Sequence, residues 1–228
     1  MGEVVLVRHG QASFGAEDYD RLSPLGIRQG ERLGEWFAAT GRTFDRIVTG
    51  SLRRHRQTLT ACFGTASESI IDPGFDEYDH REMLARLNSD FATPAGLNAA
   101  LAAESNPRRV FQEAFQAAFA RWVAGGHDAE YRESWTAFRA RCLGALNRQI
   151  EAAGPSKRIL IFTSGGPIAV MAQAALGIGD ERVAALNFAL ANAGVTTLLY
   201  RAAELGLRTL NGFQHLEGTE SESLITYR

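Results

Sequence analysis

The chain has 228 residues, 45% hydrophobic and 22% charged, with 24 Lys+Arg against 26 Asp+Glu, a profile that excludes disorder, collagen and coiled coil. At about 150 residues per domain the length predicts one domain, residues 1–228, with room for a sizeable insertion. A formal net charge of -2 exerts no general pull on nucleic acid or an anionic membrane, so any anion binding must come from a few locally placed cations. Nearly all the basic residues are arginines, Lys157 being the only lysine.

No apolar run approaches the roughly 18 residues that a membrane span needs. The short run Val4 to Val7 lacks the basic start and length of a secretory leader, so the cytoplasm is the expected compartment. Cys62 and Cys142 match neither a Cys-x-x-Cys motif nor a zinc ligand set, and read as buried free thiols.

Val4 to Val7 predicts a strand covered on both faces, followed by a turn-rich polar segment from Gln11 to Asp20. Ser23-Pro24 supplies an N-cap with proline at the first helical position. Leu33, Trp36 and Phe37 then recur at helical spacing, and Gly41 is a fitting stop. The series Gly26, Gly30, Gly34 suits close packing of this helix on a sheet. Arg46 to Thr49 predicts a second strand, a basic segment from Ser51 leads into a helix through Leu59 to Phe63, and Ile70-Ile71 is a short strand candidate. From about Ala95 to Ala153 aromatic residues at helical spacing, Phe111 through Trp122 and again Trp135 and Phe138, predict a helical insertion with its own core, part of it roofing a pocket. Arg158 to Thr163 is the strongest strand signal. Ser164-Gly165-Gly166-Pro167 and an apolar helix from Ile168 to Leu176 follow it, then a helix from Asp180 to Leu190. Val195 to Tyr200 and Leu205 to Leu210 predict a closing hairpin around Ala202 and Ala203. The alternation gives the fold class: a three-layer α/β/α domain with a mostly parallel central sheet and a helical insertion at about 83–156.

In such sheets ligands bind beyond the carboxyl ends of the strands. Three strand ends carry Arg8-His9-Gly10, Ser51-Leu52-Arg53-Arg54 and Thr163-Ser164-Gly165-Gly166. These supply a nucleophile candidate, guanidinium groups and a glycine-rich helix N-terminus, the parts needed to hold a phosphate. An unprotonated imidazole nitrogen can attack phosphorus and split one displacement into two easier ones through a phosphohistidine. Flanking arginines neutralise the equatorial oxygens and disfavour the imidazolium that could not attack. Glu77, in Asp76-Glu77-Tyr78-Asp79-His80, is a candidate to protonate the leaving oxygen.

Leu6-Val7-Arg8-His9-Gly10 resembles the Arg-His-Gly signature of the histidine phosphatase superfamily, which includes cofactor-dependent phosphoglycerate mutases and many phosphatases. Leu22 to Gln29, Ser51 to Thr58 and Asn211 to Leu216 resemble three further segments of that family in the same order; the stretch from about Met83 to Ser156 does not take part. The resemblance implies that His9 is the phosphorylated nucleophile, Arg8 and Arg54 the phosphate clamps and Glu77 the proton donor. Ser13, Ser164, Gly165 and His80 are further candidates for contacting phosphate, and Arg53 and Arg56 are expected at the surface. No metal and no cofactor is expected. The expected partner is a small phosphorylated substrate, with a phosphoprotein as a further candidate, and neither nucleic acid nor membrane.

The chain departs from the family pattern in two places. Ser164 stands where the family carries a second histidine, so a neutral donor replaces a charged one. This predicts weakened turnover, with His80 a candidate to compensate and Ser164→His expected to raise the rate. Gln11, Ala12, Ser13, Phe14 and Gly15 replace the mutase segment Glu-Ser-x-Trp-Asn, which favours phosphatase over mutase. One rival is a catalytically weak or inactive module that binds phosphate or phosphoprotein. Another is a serine hydrolase built on Ser164, Asp180 and His215, whose Phe162 is wrong for a nucleophile elbow. Arg81, Arg86, Arg108 and Arg109 are candidates for a second anionic group, His127 reads as solvated and His215 as structural.

Overall fold

The computed structural model describes residues 1–13, 20–65, 68–102, 104–202, 204–218 and 224–227. Strand β1 (Gly2–Arg8) is followed by α1 (Pro24–Ala39), β2 (Arg46–Thr49), α2 (Arg53–Phe63) and β3 (Ile70–Ile71). Helices α3 (His80–Leu87), α4 (Pro94–Ala102), α5 (Pro107–Val123) and α6 (Trp135–Ala153) lead to β4 (Arg158–Thr163), α7 (Gly165–Leu176) and α8 (Val183–Ala189). The chain closes on β5 (Val195–Arg201) and β6 (Glu204–Gly212).

The six strands form one sheet in the order β3-β2-β4-β1-β5-β6. The first four are parallel, and β5 and β6 join antiparallel. Alternation along the two central strands sorts their side chains onto opposite faces. Val4, Leu6, Ile159 and Ile161 enter one cluster with residues of α5 to α8; Val5, Val7, Leu160 and Phe162 enter the other with Leu33 and Phe37 of α1 and Leu59 of α2. After β1 the chain crosses to the α1 face, whereas after β4 it crosses to the α7 face. The carboxyl ends of this adjacent pair therefore diverge into a crevice, the usual ligand position in open sheets.

The predicted start of α1 holds: the Ser23 hydroxyl accepts from Gly26 N at 3.1 Å and Pro24 opens the helix. The glycine series packs differently from the expectation, against α2 and the loop after β1 rather than against the sheet. A Cβ at Gly34 would lie 2.1 Å from the Cys62 carbonyl oxygen, one at Gly30 2.6 Å from the Ala61 Cβ, and one at Gly26 2.2 Å from Gln11 O. The helical stretch likewise has no core apart from the domain's, because Phe119, Trp122, Trp135 and Phe138 share one cluster with Val4 and Leu6 of the sheet. The hairpin pairs Arg201 with Glu204; Ala203 of its expected turn lies outside the described residues, as do positions 14–19 of the polar segment after β1. Both cysteines are unpaired, with Cys142 buried but Cys62 only half-buried. Burial pushes the Cys62 thiol up to about 12. Among the described residues no helix is long and apolar enough to cross a membrane.

Candidate active site

Arg8 and Thr163 are register partners at the ends of β1 and β4. His9 N donates to Thr163 O at 2.8 Å, so His9 and Ser164 leave the sheet side by side. The His9 carbonyl accepts from Ala193 N at 3.2 Å and from Asn192 Nδ2 at 3.3 Å. The ring itself is only 4% exposed, and its Nδ1 lies 2.7 Å from the Gly10 carbonyl oxygen. A carbonyl can only accept, so Nδ1 carries the proton and Nε2 keeps the lone pair. Gly10 can turn here because a Cβ on it would lie 2.4 Å from Gly26 O, the first turn of α1 being pressed against this loop.

Burial pushes the His9 imidazole well below its ordinary value of 6.5, and the charges of Arg54 and Arg8, with His55, push it further, against the raising effect of the Gly10 bond. The ring is thus held neutral with Nε2 unprotonated. Arg8 donates to the Leu190 carbonyl. Arg54, at the start of α2 and 8% exposed, meets Asp20 Oδ1 at 2.7 Å, and the other oxygen of Asp20 accepts from Arg53 N at 2.7 Å.

Both oxygens of Glu77 accept from Gly166 N, at 3.1 and 3.2 Å. Gly166 permits this, since a Cβ there would lie 2.2 Å from Glu77 Oε1. Burial raises the Glu77 carboxyl above its ordinary 4.5, opposed by Arg54, the Gly166 amide, Arg8 and the Tyr78 amide. The next residue, Tyr78, packs its ring 5.2 Å from Trp122 and 5.6 Å from Phe138 and accepts from Asn187 Nδ2 at 2.9 Å. The aromatic stripe therefore braces the loop that carries the acid. Ser164, fully buried, has its Oγ 2.6 Å from Nε2 of the equally buried His55.

A family model described as "Histidine phosphatase superfamily (branch 1)" matches residues 4–212. The chain belongs to the histidine phosphatase superfamily. Solved structures of the same fold include a phosphoserine phosphatase variant from Entamoeba histolytica in complex with phosphoserine, at TM-score 0.67 and 19% identity over 95% of this chain and 100% of that one. A phosphoglycerate mutase from Bacillus anthracis matches at TM-score 0.66 and 13% identity over 96% of each chain. A mycobacterial glucosyl-3-phosphoglycerate phosphatase complexed with VO3 matches at TM-score 0.61 and 21% identity, over 92% of this chain and 98% of that one. No curated protein matches the chain.

In this member of the superfamily, the structure brings Arg8, His9, Arg54, Glu77, Ser164 and Gly165 to one crevice. The imidazole hydrogen-bonded to Ser164 belongs to His55, while His80 opens α3 with its ring 6.4 Å from that of Phe115. Burial holds His80 down to about 4, with Asp79 raising it and Arg81 and Arg54 lowering it further. Ser13 is half-buried, its backbone held to Arg21 O at 2.7 Å.

The serine-hydrolase set does not assemble. Asp180 accepts from Gln173 Nε2 at 2.6 Å, and His215 lies against Trp36 with ring centroids 5.7 Å apart. Arg86 and Arg109 pair with carboxylates of their own helices, Glu82 and Glu113, while the side chain of Arg108 lies outside the described set. Arg53 and Arg56 are exposed as expected. His127 is exposed and pairs with Glu130 at 2.9 Å. Among the described residues no cluster of three His, Cys, Asp or Glu could hold a metal.

Sequence reasoning missed Asp20, His55 and Asn187. Asp20 left one signal, a carboxylate ending the polar segment just before α1. His55 left another, a histidine wedged among arginines on what had to be a half-buried helix.

Proposed function

We propose that this protein hydrolyses a small phosphomonoester through a phosphohistidine on His9. The observation that carries the reading is the His9 ring: neutral, with its Nδ1 proton donated to Gly10 O, it leaves Nε2 as the nucleophile among the charges of Arg8 and Arg54. Nε2 attacks phosphorus and the bond to the leaving oxygen breaks, while Arg8 and Arg54 offset the charge on the equatorial oxygens. Glu77, whose carboxyl burial raises toward the protonated form, passes its proton to the leaving oxygen. Water then attacks the phosphohistidine, Glu77 takes up its proton, and orthophosphate leaves with His9 restored.

Superfamily membership and neighbours that include phosphatases for phosphoserine and glucosyl-3-phosphoglycerate support this reading; what favours it over a mutase is the replacement of the mutase segment by Gln11-Ala12-Ser13-Phe14-Gly15. The test is hydrolysis of an aryl phosphate in excess chelator, comparing the native protein with folded His9→Ala. Chelator-resistant turnover lost in the variant is expected; turnover that survives it would overturn the reading. A second reading, phosphate or phosphoprotein binding without turnover, draws on the Asp20 carboxylate seated on Arg54 and on the uncharged Ser164. Tight orthophosphate binding with no hydrolysis of any ester would select it.

A further inference from the structure

Resting on the phosphatase reading above, we propose that His55 is a positioning residue that acts through Ser164, donating from Nε2 to the Ser164 hydroxyl so that the hydroxyl proton is directed at a phosphate oxygen. The imidazole that the family resemblance leads one to expect at position 164 thus enters from α2, on residue 55, and reaches phosphate by way of the serine.

The geometry carries this step by step. Ser164 emerges abreast of His9 because β1 and β4 are parallel and in register up to Arg8 and Thr163. The rings of His9 and His55 stand 5.8 Å apart between centroids, tilted by 36°, so His55 borders the nucleophile rather than the outer core. Its Nε2 is 2.6 Å from Ser164 Oγ, and both residues are fully buried. Ser164 is the N-cap of α7 yet makes no side-chain capping bond. Its hydroxyl is thus not spent on the helix as an N-cap serine usually is.

A hydroxyl has one proton to give. A phosphate oxygen is anionic and can only accept, so with phosphate bound that proton turns to the phosphate. Nε2 must then be the donor to Oγ for both hydrogen bonds to exist. Nδ1, on the far side of the ring, has no hydrogen-bond partner and lies 3.8 Å from Asp76 Oδ1. Asp76 itself is held by the Ser51 backbone and hydroxyl. A fully buried imidazole with one nitrogen on a site hydroxyl and the other unpartnered is costly as core packing; a polar task on Ser164 accounts for it.

The test compares His55→Met, which fills the ring's volume without a donor, with His55→Gln, whose amide can donate from the place of Nε2. Ser164→Ala and the double variant His55→Met/Ser164→Ala complete the set. Two readouts are taken on each folded variant: kcat for an aryl phosphate and the inhibition or dissociation constant for orthovanadate. We expect His55→Met and Ser164→Ala each to lower kcat and weaken orthovanadate by about tenfold or more, with the double variant no worse than either single, as groups acting in series behave. His55→Gln should retain most of both.

Equal values for the Met and Gln variants would overturn the proposal, as would penalties that multiply in the double variant. So would an acid-stable phosphoryl adduct on Ser164, which would make it a nucleophile. A native protein that hydrolyses nothing defeats the phosphatase reading instead. It leaves the orthovanadate comparison to decide the role of His55.

Discussion

The two ends of the β1–β4 pair use the same residue types for opposite purposes. At the amino ends, register partners Glu3 and Arg158 meet at 2.8 Å. Arg208 adds a second contact to Glu3, and Lys157 meets Asp45 at 3.0 Å. Burial raises the Glu3 carboxyl, but Arg158, Arg208 and Arg42 outweigh it and hold it below its ordinary value. This end also borders a cleft of about 640 Å³, yet its cations and carboxylates are matched and most remain wet. At the carboxyl ends Arg54, His9 and His55 crowd together out of water, with Arg8 half-buried beside them. Both histidines are driven well below 6.5, and the Glu77 carboxyl is driven up. Matched exposed charge is worth little either way; crowded desolvated charge changes which groups hold protons, which is what an acid–nucleophile pair needs.

Removing the nucleophile should break this contrast most completely. His9→Ala is expected to lose turnover by about 10⁴-fold or more, measured against any aryl phosphate. Next comes the clamp: Arg54→Gln should cost about 10²–10³ in kcat. Arg54→Lys should recover only part of it, because a point charge cannot reproduce the guanidinium fork.

Glu77 sharpens the comparison through pH. The proposed reaction needs His9 neutral and Glu77 protonated. The lowered His9 value places the acidic limb well under pH 6.5, and the raised Glu77 value makes the rate fall as pH climbs past that value. Glu77→Gln should abolish the basic limb. It should slow alkyl phosphates by about 10²-fold while slowing aryl phosphates with acidic phenols far less, since those leave without a proton. A basic limb unchanged in Glu77→Gln would reassign it. The smallest effect belongs to the other end of the strands. Glu3→Gln should leave kcat unchanged and cost at most about 1 kcal/mol, read as a small drop in Tm.

The fold was legible because its signals are local and redundant. Val4 to Val7 and Arg158 to Thr163 are unbroken apolar strands, Ser23-Pro24 marks a helix start, and the hairpin closes on two strand-like runs. The glycine series was legible as close packing but not as to its partner, since periodicity says that a face is tight without naming what lies on it. The crevice residues after β1 and β4 could be named because strand ends are where such sheets bind. The role of His55 could not: it depends on α2 packing so that its first turn meets Ser164 at the end of β4, a contact spanning more than a hundred positions in the chain. Asp20 and Asn187 were hidden for the same reason, each acting on a residue remote in sequence.

The most direct measurement is a rapid quench with a labelled aryl phosphate, followed by mapping of the trapped phosphoryl group. The account predicts an acid-labile adduct on Nε2 of His9, formed and discharged at rates that match turnover and absent from His9→Ala. Turnover with the phosphoryl group on another residue, or turnover with no burst and no adduct at any quench time, would contradict it.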